Sequence, residues 1–408
     1  MAWLKLFLPF AGAYFLSYHF RTANAVVGPV LAGELALGAA DLGLLTSTYF
    51  LAFGLAQLPV GVLLDRFGAR RVEVVLLIVA AAGALLFANA HEIFTLAVGR
   101  GLIGVGVSAC LMGSFKFFSQ RFPRERQASL TGWIMTSGSL GALAASVPLD
   151  AALHFAGWRT TFFALALITL AVAAAIHFCV PEQAQDARPE SLKEQLAGLK
   201  TIVGSAHFWR YAPLGFTQIG GFMAVQTLWS SGWLMNVNGY TRSVAADHLA
   251  LMSLAMLVSY ALIGLLASGL ARRGVGVIVL LAGGMVMALL ALALIIAQRV
   301  DEHWLLWMAY GLFSSVGTLA FPQVAAGFPI ALGGRANTAL NLVVMLGAFG
   351  FQWGIGGLID LMENSGLATP VAYRNAFLLL FGVQTAACLW LLLGGRLTRR
   401  AALPAGKT

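Results

Sequence analysis

Apolar stretches of about 20 residues, each long enough as a helix to cross roughly 30 Å of hydrocarbon, recur along almost the whole chain. They lie at approximately 6 to 31, 42 to 64, 72 to 91, 94 to 119, 128 to 152, 158 to 180, 209 to 235, 248 to 271, 274 to 298, 303 to 326, 337 to 361 and 373 to 395. In lipid each backbone N–H and C=O must find its partner inside the segment, so every stretch is expected to be a helix. The reading is an all-α integral membrane protein with twelve transmembrane helices. Composition agrees, since a chain of 408 residues that is 60% hydrophobic and 10% charged exceeds what a soluble core can hide. Ala23-Asn24-Ala25 imitates a signal-peptidase site. Arg21 interrupts the apolar run and a basic n-region is almost absent, so helix 1 is expected to be retained.

The net charge of +9 reflects topology and does not imply nucleic-acid binding. With the N-terminus inside, eighteen Lys and Arg fall on the cytoplasmic side, among them Arg66, Arg70, Arg71, Arg121 and Arg210. Only Arg159, Arg242, Arg299 and Arg374 fall outside. The positive-inside rule therefore places both termini in the cytoplasm. Cys110, Cys179 and Cys388 sit in apolar spans too far apart to suggest a redox pair or metal site. No cofactor or metal is expected.

One long polar connection, 181–207, divides residues 1–180 from 208–408. Its Leu192, Leu196, Leu199 and Ile202 among Glu190, Lys193, Glu194 and Lys200 predict an amphipathic helix on the cytoplasmic surface. A faint echo joins the two parts. Gly264-Leu265-Leu266-Ala267-Ser268 with Arg272-Arg273 follows helix 8, roughly 200 residues after Gly61 to Asp65 with Ala69-Arg70. Ser268 stands where the first copy has Asp65, so the two loops are not equivalent.

The run Gly61-Val62-Leu63-Leu64-Asp65-Arg66-Phe67-Gly68-Ala69-Arg70-Arg71 resembles the Gly-x-x-x-Asp-Arg-x-Gly-Arg-Arg loop between transmembrane helices 2 and 3 of the major facilitator superfamily. Arg100-Gly101-Leu102-Ile103-Gly104-Val105-Gly106 is similar to the superfamily's Arg-x-x-x-Gly-x-Gly motif in helix 4. The resemblance implies two pseudo-symmetric six-helix bundles. It also implies that Asp65 contacts Arg70 and the cytoplasmic start of helix 11 near Asn337, with Gly61, Arg66 and Gly68 completing the gate. The plainer reading of Asp65 is a solvated loop charge. Gly104 and Gly106, like Gly350, Gly354 and Gly357, read as helix-packing positions. Gly138-Ser139-Leu140-Gly141 then Pro148 matches the exporters' glycine and proline motif poorly, which weakens an exporter assignment.

All sixteen acids map to loops or helix ends, whereas Arg21, Arg100 and Lys116 lie within spans. A buried arginine needs a partner or a wet cavity, and an anionic solute is the natural candidate. Helical phase sets Tyr14, Ser17, Tyr18 and Arg21 on one stripe and turns His19 away. Arg21 is expected to bind substrate, the alternative being a bond to carbonyls of a broken helix. Arg100 faces the cavity or snorkels outward, and Lys116 snorkels to the cytoplasmic interface. The superfamily lines its cavity with helices 1, 4, 7 and 10. Helix 7 aligns Gln218, Phe222, Gln226, Trp229 and Trp233, and helix 10 aligns Tyr310, Ser314, Thr318 and Phe321. Helix 11 adds Asn337, Asn341 and Gln352.

The chain therefore reads as a monomeric secondary transporter of a small organic anion in the bacterial inner membrane, working by alternating access. Two other classes stay open. A proton-driven exporter of drugs or lipophilic metabolites would want a membrane carboxylate, and a transporter-like ligand sensor would need more than the short middle loop. Coupling is open between protons, carried by His19, the substrate or a carboxylate placed wrongly in a loop, and a counter-anion. No nucleophile with an adjacent base and no Gly-x-x-x-x-Gly-Lys run points to an enzyme. If the topology is right, single cysteines at Ala69, Ala184 and Ala402 label only from the cytoplasmic side. Labelling of any one from outside refutes the map.

Overall fold

A computed structural model describes residues 2–182, 192–273, 276–299 and 302–401. Part of the 181–207 connection, including Arg188, Glu190 and Ala184, lies outside them, as do the side chains of the Gly264 to Arg272 echo and the tail from residue 402. Among the described residues every regular element is helical. The elements group into twelve rods. Helix 1 spans residues 2–35, helices 2 and 3 span 39–67 and 69–88, and helix 4 spans 93–121. Helices 5 and 6 cover 124–156 and 158–179, helix 7 covers 206–236, and helix 8 is Arg242–Arg272. Helix 9 is Val277–Ala297, helix 10 covers 303–325, helix 11 is Ile330–Asn364 and helix 12 is Thr369–Ala401. A short linker helix, Leu192–Val203, joins the halves, with Ile202 buried and Leu199 packed on the core. Helices 2 and 3 meet at Gly68 and helices 5 and 6 at Gly157, where φ of 77° and 75° are values that only glycine adopts freely.

The face carrying the start of helix 1, the Asp65 loop and the linker helix is called the basic face here. Toward the middle of the bundle, helices 1, 4, 7 and 10 are all interrupted. Helix 1 breaks at Ala23, between Thr22 and Asn24. Helix 4 breaks at Val107 to Ala109. Helix 7 widens into π-turns at Gly215–Gly220 and Val225–Trp229, and helix 10 tightens into a 3-10 turn at Ser315–Leu319. Proline contributes to two of these. Pro322 follows the 3-10 turn, and Pro213 precedes the first π-turn and has no N–H to give the Trp209 carbonyl. Trp390 of helix 12 supplies that donor at 2.9 Å.

Glycines let the rods approach closely, and the same contact occurs in both halves. Gly104 of helix 4 lies against the Tyr49 carbonyl of helix 2, and Gly311 of helix 10 lies against the Met252 carbonyl of helix 8. Gly141 of helix 5 meets the Phe15 carbonyl of helix 1, and Gly347 of helix 11 meets the Phe216 carbonyl of helix 7. The recurrence is the pseudo-symmetry in physical form. The seam between helices 3 and 4 runs antiparallel with a repeat of seven: Phe87 faces Gly99, Ala80 faces Gly106 and Glu73 faces Gly113.

One expectation about charge fails here. Glu73 lies in the first turns of helix 3, but it is 0% exposed. The buried charged groups therefore include an acid. The helix-end assignment treated nearness to a loop as contact with water, whereas Gly113 makes room for the carboxyl inside the seam.

Overpacking a tight seam costs about 1–3 kcal/mol. Gly106→Val, whose new carbon meets the Ala80 backbone, should lower the melting temperature of the purified protein. Gly132→Ala, with nothing within 4 Å, should leave it unchanged or raise it.

Candidate functional site

The interruptions surround a cavity of about 640 Å³ between the two halves. Its wall runs from the middle of the bundle toward the basic face, because it takes the second half of helix 4 (Ser108, Met112, Phe115) and the first halves of helix 5 (Thr131, Met135) and helix 11 (Asn337, Asn341). Tyr14, Ser17, Tyr18 and Arg21 of helix 1 form one side, and His19 is buried off the wall beside Phe15 and Phe20. The helical phase of this stripe was legible.

Arg21 is the only charged side chain on the wall among the described residues. Its guanidinium carbon sits 4.6 Å from the Tyr18 ring centroid and 5.1 Å from that of Phe53. Contacts of this kind contribute about 0.5–2 kcal/mol and fix the plane of the group. Its Nε has no hydrogen-bond partner, and no described acid shares the wall.

Arg100 is placed elsewhere. It is 0% exposed, off the cavity, and its Nη1 donates to the Phe20 carbonyl at 2.8 Å while its guanidinium lies 5.1 Å from the Tyr49 ring centroid. Phe20 lies one turn before Asn24, where helix 1 restarts, so Arg100 supplies a donor where the helix ladder is interrupted. The sequence suggested that role for Arg21, and the structure shows it at Arg100. Carbonyls at the break in helix 4 are met similarly: Ser17 Oγ lies 3.5 Å from the Val107 oxygen, and Gln57 Nε2 donates to the Ser108 oxygen at 3.0 Å.

The other candidates divide. Gln226, Ser314, Asn341 and Asn337 line the cavity, with Phe222, Thr318 and Phe321. Gln218, Trp229 and Trp233 do not. A π-turn carries more residues than an α-turn, so the two π-turns of helix 7 shift the stripe onto Ile219, Phe222, Met223 and Gln226. Trp229 instead donates to the Gln352 carbonyl of helix 11 at 3.1 Å, and Gln352 to Thr227 at 2.5 Å. Tyr310 is fully buried on Phe222, ring centroids 5.3 Å apart, beyond the end of the cavity. Sequence reasoning missed Gln57, Tyr260 and Met256, because it looked to helices 1, 4, 7 and 10, and helices 2 and 8 also reach the wall.

Asp65 accepts from Lys116 Nζ at 2.5 Å, in place of the expected Arg70 and helix 11. Helix 4 ends beside the loop, so Lys116, 16% exposed, does not snorkel. Arg66 lies over its neighbour Phe67, 5.3 Å from the ring centroid, and Arg71 pairs with Glu182. Gly68 forms the turn between helices 2 and 3, and Gly61 and Arg70 are both half-buried in that segment.

The face opposite the basic one carries two contacts across the halves. Helix 2 begins at Gly38, which has no side chain to cap it, and Asp360 of helix 11 accepts from the Ala39 and Ala40 N–H groups at 2.9 and 2.8 Å. Asp150 of helix 5 accepts from Arg242 Nε at 2.5 Å and Ser243 Oγ at 2.8 Å on helix 8. A carboxylate at a helix N-terminus is favoured by both the free N–H groups and the dipole.

The sequence profile of the Major Facilitator Superfamily matches residues 10–359, and the chain belongs to that superfamily. A probable sulfoacetate transporter of Cupriavidus necator is 25% identical over 157 residues, 38% of this chain and 36% of the relative. A hexuronate transporter of Bacillus subtilis is 28% identical over 190 residues, 46% and 43% of the two chains. A multidrug resistance protein of Klebsiella pneumoniae is 23% identical over 235 residues, 57% and 59%. The chain thus aligns to about a third to three-fifths of these relatives' length. Among solved structures, an inward-facing, unoccupied bacterial homologue of the human lysosomal transporter Spinster superposes with a TM-score of 0.80 at 15% identity, over 98% of each chain. A D-xylose–proton symporter gives 0.77 at 15%, over 96% and 97%.

Replacing a capping carboxylate by alanine costs about 0.5–2 kcal/mol, so Asp360→Ala should shift the population toward separation of the opposite face by about twofold to thirtyfold, and Asp150→Ala, which loses the bonds from the Arg242 and Ser243 side chains, should shift it the same way. Spin labels on Leu37 and Asn364 should report the shift as a longer-distance peak. An unchanged distance distribution in the double variant excludes a latch.

Proposed function

We propose that this superfamily member is a secondary transporter that binds a small organic anion at Arg21 and moves it across the bacterial inner membrane by alternating access. The observation that carries the reading is the lone cation among the described residues of the cavity wall. Arg21 is held by Tyr18 and Phe53, its Nε is unpartnered, and no described acid lines the space. A carboxylate, sulfonate or phosphate oxygen would complete that hydrogen-bonding set, and the planar guanidinium favours two parallel bonds to it. The names of the sulfoacetate and hexuronate transporters among the relatives point to the same chemical class.

The basic face is assigned to the cytoplasm on its excess of Lys and Arg. The conformation is then inward-facing, with the cavity reaching the cytoplasm and the Asp360 and Asp150 contacts closing the outside. The Asp65 pair with Lys116 belongs to this state. When the inner side closes, Asp65 is free to turn to helix 11, and that exchange makes the loop a gate. A lipophilic exporter is the second reading, favoured by the apolar lining that Met112, Met135, Met223, Met256 and Met345 provide. A cation on the wall with no acid beside it weighs against cationic drugs.

A charge-assisted hydrogen bond contributes about 1.5–3 kcal/mol, roughly tenfold to a hundredfold in affinity. Arg21→Gln should lose that much affinity for galacturonate or sulfoacetate, measured by thermal shift, and Arg21→Lys should be intermediate because it keeps the charge without the fork. Arg100→Gln should instead lower the melting temperature of the ligand-free protein. Stabilisation by lipophilic cations alone, unaffected by Arg21→Gln, supports the exporter.

A further inference from the structure

Glu73 is a buried ionisable group for which the transport reading has no use. It lies in the helix 3–helix 4 seam, 0% exposed, and both carboxyl oxygens are without a hydrogen-bond partner. Its place is built by the neighbouring helix: a methyl group on Gly113 would collide with the carboxyl. A carboxylate without donors or a cation, in a space that excludes water, is far less stable than the neutral acid.

The charged and titratable groups around it leave that imbalance uncorrected. On helix 4, the Cys110 thiol lies one turn from Gly113 and is buried. One turn the other way is Lys116, whose ammonium is bound to Asp65 of helix 2 at 2.5 Å. On helix 3 itself, Arg70 is one turn away and half-buried at the basic face, and Arg71 is turned to Glu182. Helix 6, packed on the other side, contributes the buried Ala173 and Ile176, while His177 is exposed.

The seam is also positioned to change. Helix 4 is broken at Val107 to Ala109, so its inner segment Cys110–Arg121 is joined to the outer one by an irregular turn. The same segment carries Gly113 toward Glu73, Met112 and Phe115 toward the cavity, and Lys116 toward Asp65. A movement of this segment that alters the cavity must also alter what faces Glu73.

We propose that Glu73 is a proton-binding site, loaded in the conformation described here and discharged when the inner segment of helix 4 moves and opens the seam to water or to Lys116. Loading joins a proton from water to the carboxylate, and discharge returns it to water, with no other bond made or broken. A site whose occupancy differs between two conformations links them to pH. The protonated acid belongs to this conformation, so acid pH favours the cavity that reaches the basic face and alkaline pH withdraws that support. The proposal goes beyond the anion site and needs no transported substrate for its test.

The full chain in nanodiscs, with Cys179→Ser as background, serves for two measurements. Infrared difference spectra at neutral pH should show the carbonyl stretch of a protonated carboxylic acid, lost in Glu73→Gln. A cysteine at Thr131, on the cavity wall, should react with a water-soluble maleimide at a rate that rises as pH falls once it is divided by the rate of the same cysteine in the denatured protein at each pH, which removes the ionisation of the thiol itself. Glu73→Gln, close in shape and permanently neutral, should abolish that pH dependence, and Glu73→Asp should retain it. Identical infrared spectra for the wild type and Glu73→Gln overturn the loaded site. A normalised rate in the wild type that ignores pH, or a normalised Glu73→Gln rate that follows pH as the wild type does, overturns the link to conformation.

Discussion

A bilayer offers no water to a backbone group that its helix has let go, and the arrangement of this superfamily member follows from how each released group is met. Helices 1, 4, 7 and 10 are interrupted beside the cavity, and an uncompensated polar group there costs several kcal/mol. Arg100 meets the Phe20 carbonyl at the break in helix 1, Gln57 meets Ser108 at the break in helix 4, and Trp390 meets Trp209 below the π-turns of helix 7. These bonds hold a ring of irregular backbone around open space. They also decide which polar side chains remain available to a solute.

That division separates two arginines which look alike as letters. Both lie inside apolar spans and both rest against aromatic rings. Arg100 gives one donor to a carbonyl and is sealed from the cavity, whereas Arg21 faces it. The difference arises one turn away, at Ala23, where helix 1 ends and restarts. Charge in a membrane span marks a place where something must be satisfied, and only the backbone around it tells whether that something is protein or ligand.

Much of this was legible. Apolar length gave the helices, phase gave the Tyr14 to Arg21 stripe, and the glycines of helix 4 fell at close contacts as expected of small residues. What failed did so for local reasons. The stripe drawn through Gln218, Phe222, Gln226 and Trp229 assumed 3.6 residues per turn, and two π-turns displace it. The partner of Asp65 was sought along the chain and on helix 11, but Lys116 reaches it from helix 4. Glu73 was assigned to water because it stands near a loop, and the missing side chain that admits it, Gly113, is 40 residues away in sequence. No periodicity in a single helix carries that information.

The two faces are secured by different chemistry, and the difference bears on the alternating access proposed above. Opposite the basic face, Asp360 and Asp150 each hold two donors from the other half, so the seal is a few charge-assisted bonds close to water. Such bonds contribute on the order of 1.5–3 kcal/mol each at most, and solvent replaces them when the face opens, so the net barrier they raise is smaller. At the basic face the loop acid is satisfied within its own half by Lys116, and under the proposed gating, closure of that face would exchange partners instead of making a new pair of buried charges. A cycle built from exchanges keeps its end states within a few kcal/mol of each other, the range in which binding of one anion or one proton can decide which state is populated.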